Sequence, residues 1–562
     1  MQKTWWKESI VYQIYPRSYQ DSNDDGMGDI RGIIDRLDHV KSLGINVIWL
    51  SPVFKSPNDD NGYDVSDYCD IHPDFGTMAD FDELLEGIHS RGMKLLIDLV
   101  FNHSSDEHAW FEEAKSSKDS EKRNYYIWKD PGPDGGPPNN WQSFFGGSAW
   151  ELDESTGQYY LHYFSKKQPD LNWENPKVRE ELHHVMSFWL AKGVDGFRFD
   201  VISLISKRHF EDSPYTDFGE TISLLYANGP RIHEFLHEAY EKVVSKYDVM
   251  TVGEGPGITL VNGLDYVGLQ RQELNMIFHF DHMFIDHGPG GKYNPAPYDF
   301  LRFKKVFLDW DQAMMADGND GWSSIFLGNH DFSRIVSRWA NDGKFWDESS
   351  KALCLMLLTM RGTPYIYQGE EIGMTNVEWK SVDEHQDIET LDYIRKAQAA
   401  GVDERTILKN TKWQSRDNAR TPMQWSNESF AGFSTSKPWL KVNENYADIN
   451  VQSQDLNPRS ILNFYRKMVT IRQTYPALVY GDFQVIALEH PHIFAYFRED
   501  EDYRLLVVLN FSEEEQVFDL EQPIEPDKLI RIVSNYRTSR EPEAGGQMTL
   551  HPWEAVLWKV KK

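Results

Sequence analysis

The sequence predicts an α/β protein built on a parallel (β/α)8 TIM barrel. A loop-rich domain is inserted after the third strand, and an antiparallel β-sandwich follows the barrel. Three observations predict this architecture. Eight short, β-rich apolar runs recur along the chain, amphipathic helical patterns separate them, and most runs close on polar side chains.

The runs are SIVYQIYP (9–16), VIWLSP (47–52), KLLIDLVFNH (94–103), GFRFDVI (196–202), VMTVGE (249–254), LNMIFHFD (274–281), SSIFLGNHD (323–331) and TPYIYQGEE (363–371). Between the first two, residues 29–45 place Ile33, Ile34, Leu37, Val40 and Leu43 at helical spacing, and Gly44 ends the pattern. FDELLEGIHSRGM (81–93) repeats the scheme before the third run. Strand then helix, eight times over, argues a barrel.

At 562 residues the chain is too long for one ordinary domain. Residues 1–103 and 171–479 read as the two parts of the barrel. Residues 104–170, with DPGPDGGPPNNWQSFFGGSAW, lack barrel periodicity and read as inserted domain B overhanging the mouth. Residues from about 375 to 435 read as a smaller subdomain after the eighth strand. In 480–562 the strand patterns FQVIAL, IFAYF, YRLLVVLNF and EAVLWKV read as the β-sandwich.

A net charge of −30 repels nucleic acid and anionic membranes, so neither is an expected partner. An aromatic share of 14% suits stacking on flat ligands such as sugar rings. Cys69 and Cys354 offer neither a disulfide framework nor a cysteine metal site. The start of the chain lacks a signal-peptide core, and no apolar run approaches the roughly 20 residues of a membrane span. The expectation is a cytoplasmic protein, monomeric or weakly self-associating, acting on a small neutral molecule.

The polar strand ends are Asn102 and His103, Asp200, Glu254, Asp281, Asn329 to Asp331, Gln368, Glu370 and Glu371. C-terminal strand ends form the active-site face of such a barrel. Unpaired buried charges are costly, so packing alone does not explain several of them at one mouth. Asp200, Glu254 and Asp331 close the fourth, fifth and seventh runs. Retaining glycoside hydrolysis needs two carboxylates roughly 5 Å apart, one nucleophile and one general acid/base. Arg198 shares a strand face with Asp200 and is expected to lower its pKa. Glu254 has no adjacent cation in sequence, so desolvation is expected to raise its pKa. His103 and His330 suit sugar hydroxyls as neutral donors.

The stretches DLVFNH (98–103), GFRFD (196–200), GE (253–254), NHD (329–331) and QPDLN (168–172) together resemble the α-amylase family of glycoside hydrolases, family 13. The resemblance covers essentially the whole chain and is strongest to the oligo-1,6-glucosidase and α-glucosidase branch, with sucrose isomerases close by. It implies Asp200 as nucleophile, Glu254 as acid/base and Asp331 as transition-state stabiliser. It further implies a pocket for the terminal glucose made by Asp60, Tyr63, His103, Gln168, Arg198, His330 and Arg416, with Phe145 and Phe164 at its entrance. Val201, directly after the nucleophile, goes with α-1,6 cleavage in this branch. The implied activity is release of glucose from isomaltose- or panose-type substrates, sucrose isomers included. The alternative is sucrose isomerisation or transglucosylation. Pro256, in place of an aromatic, and MFIDHGPGGK (283–292) depart from the isomerase pattern. Phe332 departs from the glutamine usual in the hydrolases.

DSNDDGMGD (21–29) spaces oxygen donors at alternate positions: Asp21, Asn23, Asp25, the Met27 carbonyl and Asp29. Gly26 permits the tight bend. This resembles the start of an EF-hand loop, although Gly32 stands where the bidentate glutamate would be. A structural Ca2+ is the expectation, with Mg2+ also open.

Overall fold

The computed structural model describes residues 3–561 other than 269, 290, 521, 541, 544 and 545. Its centre is the expected barrel: β1 (Val11–Ile14), β2 (Val47–Leu50), β3 (Lys94–Leu99), β4 (Gly196–Phe199), β5 (Met250–Glu254), β6 (Met276–Phe278), β7 (Ser324–Ile325) and β8 (Thr363–Tyr367). Every neighbouring pair is parallel, and the order runs β6-β5-β4-β3-β2-β1-β8-β7. A bridge between Ile277 and Ser323 joins the two ends and closes the ring.

Nearly every strand residue is buried, which is why the strands read as unbroken apolar runs. Inside the ring, Trp49 stacks on Phe278 at 5.5 Å between centroids, and both meet Tyr365. The Arg198 guanidinium lies 5.2 Å from the Trp49 ring centroid. Gly196 opens β4 where a Cβ would stand 2.0 Å from the Met250 carbonyl oxygen, so only glycine lets β4 and β5 approach there.

The helices follow their end signals. Met78–Ser90 starts with a capping box in which Thr77 and Asp80 satisfy each other's amides. Pro176–Lys192 has Asn175 as N-cap, and Gly193 ends it at φ 104°. The pattern over 29–45 does not form one helix. It divides into Ile30–Asp35 and Leu37–Ser42 at Arg36, whose guanidinium turns back to Gln20 and lies over Trp425.

Three short antiparallel strands, Trp128–Lys129, Trp150–Asp153 and Gln158–Leu161, organise the segment between β3 and the helix Pro176–Lys192. After β8, the helices Ile388–Ala399 and Glu404–Gln414 precede Arg416. The last part of the chain folds as a five-stranded antiparallel sheet, with a two-stranded pair, Gln516–Asp519 and Gln547–Leu550, against it. Side-chain alternation divides the work. Ile493, Ala495, Phe497, Leu506, Val508 and Trp558 face Phe518, Met548 and Leu550. Phe494, Tyr496, Leu505, Val507 and Leu557 belong instead to the barrel's own core cluster.

Two buried arginines stitch this seam with no carboxylate partner among the described residues. Arg472 donates to the carbonyls of Leu358, Met360, Gly362 and Leu478. Arg498 donates to those of Thr359, Leu478, Val479 and Gly481. Replacing Arg498 by Met strands these acceptors. The expected cost is on the order of 3 kcal/mol, seen as a melting temperature lower by at least ~3 °C in calorimetry. A melt within 1 °C of the parent (about the error of the method) would remove the seam from the stability of the fold.

Candidate active site

The site is built on one guanidinium. Arg198, 1% exposed, projects from β4 into the barrel mouth. Its Nη1 donates to Asp98 Oδ1 and to Asp200 Oδ1, both at 2.7 Å. Its Nη2 reaches Glu254 Oε2 at 2.7 Å. Glu254 has no cation beside it in the chain, but the ring supplies one from β4. Asp98, beneath, also accepts from Trp49 Nε1 and from the Tyr63 hydroxyl.

Burial outweighs the guanidinium. It pushes Asp200 up to about 7 and Glu254 up to about 8, Arg198 only partly offsetting it. The expected depression of Asp200 is thus reversed: desolvation raises it more than Arg198 lowers it, and the charge of Asp98 adds to the rise. Asp200 and Glu254 also hydrogen-bond to each other, so near neutral pH the pair carries about one proton. Asp331 behaves oppositely. Burial alone would raise it, but His330, Arg416 and Arg420 overcome that and hold it well below the usual carboxylate range.

His330 is fixed in one tautomer. Gln13 Nε2 can only donate, and it meets His330 Nδ1 at 2.8 Å, so the ring proton sits on Nε2, 3.3 Å from Asp331 Oδ2. The Tyr63 ring stacks on His330 at 5.2 Å and 3°. His103 lies between Gln168 Nε2 and the Tyr63 carbonyl. Burial lowers His103 to about 4 and His330 to about 3, so both are neutral imidazoles as expected.

The far wall comes from distant segments. Asp60 accepts from Arg416 Nη2 at 3.0 Å and from Gln168 Nε2 at 3.2 Å. Arg416 also holds Asp331 at 3.3 Å and Asp387 at 2.6 Å. The Phe145 ring lies 5.3 Å from the Arg416 guanidinium, and Phe164 lies 5.2 Å from His103. All the carboxylates and pocket residues named from the sequence thus meet in one connected group.

Val201 does not continue the strand. β4 stops at Phe199, and Val201 turns left-handed at φ 35°, ψ 40°, its amide donating to Glu254 Oε2 at 3.0 Å. A β-branched residue in that region costs about 1–3 kcal/mol. Other polar strand ends lie elsewhere. Asp281 accepts from Trp310, and Glu371 accepts from Tyr12 and contacts His39. Asn102 and Asp170 share Lys207. The sequence reasoning missed Asp98, Asp387, Arg420 and Gln13. Asp98 alone carried a readable signal, a charge inside the apolar run KLLIDLVF.

The metal loop is curled by its own side chains. Asp21 Oδ2 accepts from Gly26, Asn23 Oδ1 from Asp25, and Asp25 Oδ1 from Met27. Asp29 caps the next helix through Gly32. Among the described residues no three His, Cys, Asp or Glu side chains converge as a metal cage.

A parallel barrel whose mouth holds a proton-sharing carboxyl pair beside a third, ionised carboxylate is the framework of a barrel glycoside hydrolase. The chain belongs to the alpha-amylase family: residues 13–481 match the alpha amylase catalytic domain, and residues 483–557 match the maltogenic amylase C-terminal domain. It is 51% identical to an oligo-1,6-glucosidase of Parageobacillus thermoglucosidasius, over the full length of both chains. It is 45% identical to a trehalose-6-phosphate hydrolase of Bacillus subtilis, over 100% of this chain and 99% of that one. Among solved structures it matches an isomaltulose synthase variant from Erwinia rhapontici NX5 bound to its natural substrate sucrose. The TM-score is 0.96 at 41% identity, with both chains fully covered.

The carboxyl pair gives a testable pH dependence. If Asp200 acts ionised as the nucleophile, kcat/KM rises with pH through about 7. If Glu254 acts protonated as the acid, it falls through about 8. The expected profile is a narrow bell peaking between these values. A profile falling steadily from pH 5 upward would contradict the assignment.

Proposed function

We propose that the protein is a retaining, exo-acting α-glucosidase that releases glucose from the ends of short α-1,6-linked oligosaccharides. The observation that carries this is the Asp200–Glu254 pair held on Arg198. Asp200 attacks the anomeric carbon while Glu254 protonates the leaving oxygen. Water then opens the glucosyl-enzyme, with Glu254 as base. Asp331, ionised beside this pair, stabilises the positive charge that develops on the sugar.

Exo-action follows from the far wall. Asp60 and Arg416 meet across it at 3.0 Å, and Gln168 braces Asp60, a closed wall that supports a pocket for a single terminal glucose. A neutral substrate fits the charges at the rim. Lys292 is paired with Glu389 and Arg416 with Asp387, which leaves these cations compensated rather than open to a phosphate. The α-1,6 preference rests on Val201 and on the relatives named oligo-1,6-glucosidase.

A panel of isomaltose, panose, maltose, sucrose, isomaltulose, trehalulose and trehalose 6-phosphate, assayed for products, tests the reading. Isomaltose and panose should be hydrolysed fastest. Isomaltulose or trehalulose accumulating from sucrose in excess of free glucose would replace hydrolysis by isomerisation. Asp200→Asn should lower kcat by about 10⁴-fold or more, and near-normal turnover would remove Asp200 from the mechanism. Val201→Thr should move the isomaltose-to-maltose ratio severalfold toward maltose, since one small group in a pocket is worth about 1 kcal/mol or more. An unmoved ratio would leave Val201 a wall residue only.

We also propose a structural Ca2+ held by Asp21, Asn23, Asp25, the Met27 carbonyl and Asp29. The all-oxygen donor set suits a hard cation, and the bond from Gly26 to Asp21 supports the bend such a loop needs. The loop ties the segment after β1 to the end of the smaller subdomain, Asp21 donating to the Phe433 carbonyl and accepting from Ser434 Oγ. Chelation should lower the melting temperature by several degrees and leave kcat at 25 °C unchanged, with Ca2+ restoring the melt. No response to chelator, Ca2+ or Mg2+ would remove the ion. Cys69 and Cys354 are both unpaired, which supports work in a reducing cytoplasm. A monomer or weak homo-oligomer is proposed.

A further inference from the structure

The left-handed turn at Val201 has a use in the proposed chemistry. Asp200 still follows the barrel ladder, its amide donating to the Leu99 carbonyl at 2.9 Å. An extended residue at 201 would stay in that ladder, because strand neighbours alternate. Instead the chain turns at φ 35°, a conformation that β-branched residues avoid. The turn is held from below: Leu204 donates to the Val201 carbonyl at 2.9 Å, and Ser203 Oγ donates to the Pro256 carbonyl at 2.7 Å. The strained backbone aims one amide into the mouth, 3.0 Å from Glu254 Oε2.

The same oxygen takes Arg198 Nη2 at 2.7 Å. Neither an amide nor a guanidinium can accept a hydrogen bond. Oε2 is therefore an acceptor only, and a proton on Glu254 must reside on Oε1. We propose that the main-chain amide of Val201 is a positioning group for acid/base catalysis: with Arg198 it pins Oε2 of Glu254 and confines the transferable proton to Oε1. This rests on Glu254 as the acid/base. In the first step the Asp200 carboxylate forms a bond to C1 as the C1–O bond to the leaving sugar breaks, and that bond's electron pair goes to the leaving oxygen. The proton on Oε1 moves to the same oxygen, and Glu254 is left ionised with Oε2 still facing the Val201 amide and Arg198. In the second step water bonds to C1 as the bond to Asp200 breaks, Asp200 leaves as a carboxylate, and the water's proton returns to Oε1. Because the donor is main-chain, side-chain exchange at 201 does not remove it.

The test replaces the amide by an ester, with α-hydroxyisovaleric acid incorporated at 201. Two kcat/KM values are compared: that for the disaccharide the unaltered enzyme cleaves fastest, and that for 2,4-dinitrophenyl α-glucoside, whose leaving group needs no proton. The ester should lower the disaccharide value at least ~30-fold, within the 10²–10⁴-fold worth of general acid catalysis. The aryl glucoside should change less than about threefold on the same basis. The alkaline limb of the disaccharide profile should move to higher pH, since a bond to the ionised carboxylate is lost. Arg198, Asp200, Asp331 and Asp98, the charged groups around Glu254, are untouched by the exchange. Equal losses on both substrates, an unmoved limb, or no loss would each overturn the proposal. Val201→Gly keeps the amide and adopts positive φ freely. Whatever the lost side chain does to substrate choice, its alkaline limb should stay at the parent's pH, because the amide bond to Glu254 is kept. If the limb moves as it does in the ester, the side chain and not the amide is responsible. Glu254→Gln separates the two levels: if that variant shows no leaving-group dependence, the acid/base reading itself fails.

Discussion

Everything at the mouth depends on one buried positive charge serving three negative ones. Arg198 is enclosed by Asp98, Asp200 and Glu254. A guanidinium can do this because its donors lie in one rigid plane and form a fork; an ammonium would hold one carboxylate well and the others poorly. Three carboxylates around one cation leave a surplus of negative charge in a dry site, and the site relieves it by keeping a proton. General acid capacity is thus a result of under-compensation. Full neutralisation would leave both carboxyls ionised and remove the acid.

The same logic runs in the opposite sense a few residues away. Asp331 and Asp387 each face both Arg416 and Arg420, and these two carboxylates stay ionised, while Asp60, which meets Arg416 alone at 3.0 Å, is pushed by burial up to about 7. Carboxylates in one pocket, built from the same residue types, therefore differ in charge state by how many cations each one faces. The acidic chain as a whole, at −30, does not decide it.

The barrel was legible because its strands are buried on both faces and so read as unbroken apolar runs. A charge inside such a run has few structural excuses, which made Arg198, Asp200 and Glu254 readable. The same rule should have exposed Asp98, which was passed over within DLVFNH. Asp281 and Glu371 misled because a polar strand end can equally bond to the surrounding helices, as they do to Trp310 and His39. Asp387 and Arg420 were invisible: their partners are distant in sequence, and nothing local marks them. Arg36 splits a helix whose apolar spacing was correct, since spacing reports the buried face and not continuity. The turn at Val201 left no trace either, because valine is a good strand residue and its sign of φ is set by the neighbours that hold it.

The seam between barrel and C-terminal sheet has a consequence for the order of events during synthesis. The carbonyls of Leu358, Thr359, Met360 and Gly362 lead directly into β8, the strand that joins β1 to β7. Their donors are Arg472 and Arg498: both leave the ribosome only after the subdomain that follows β8, and Arg498 only with the second strand of the final sheet. A nascent barrel therefore reaches its last strand with acceptors still facing water. Closure of the ring waits on the part of the chain that looks, in the finished molecule, like an appendage.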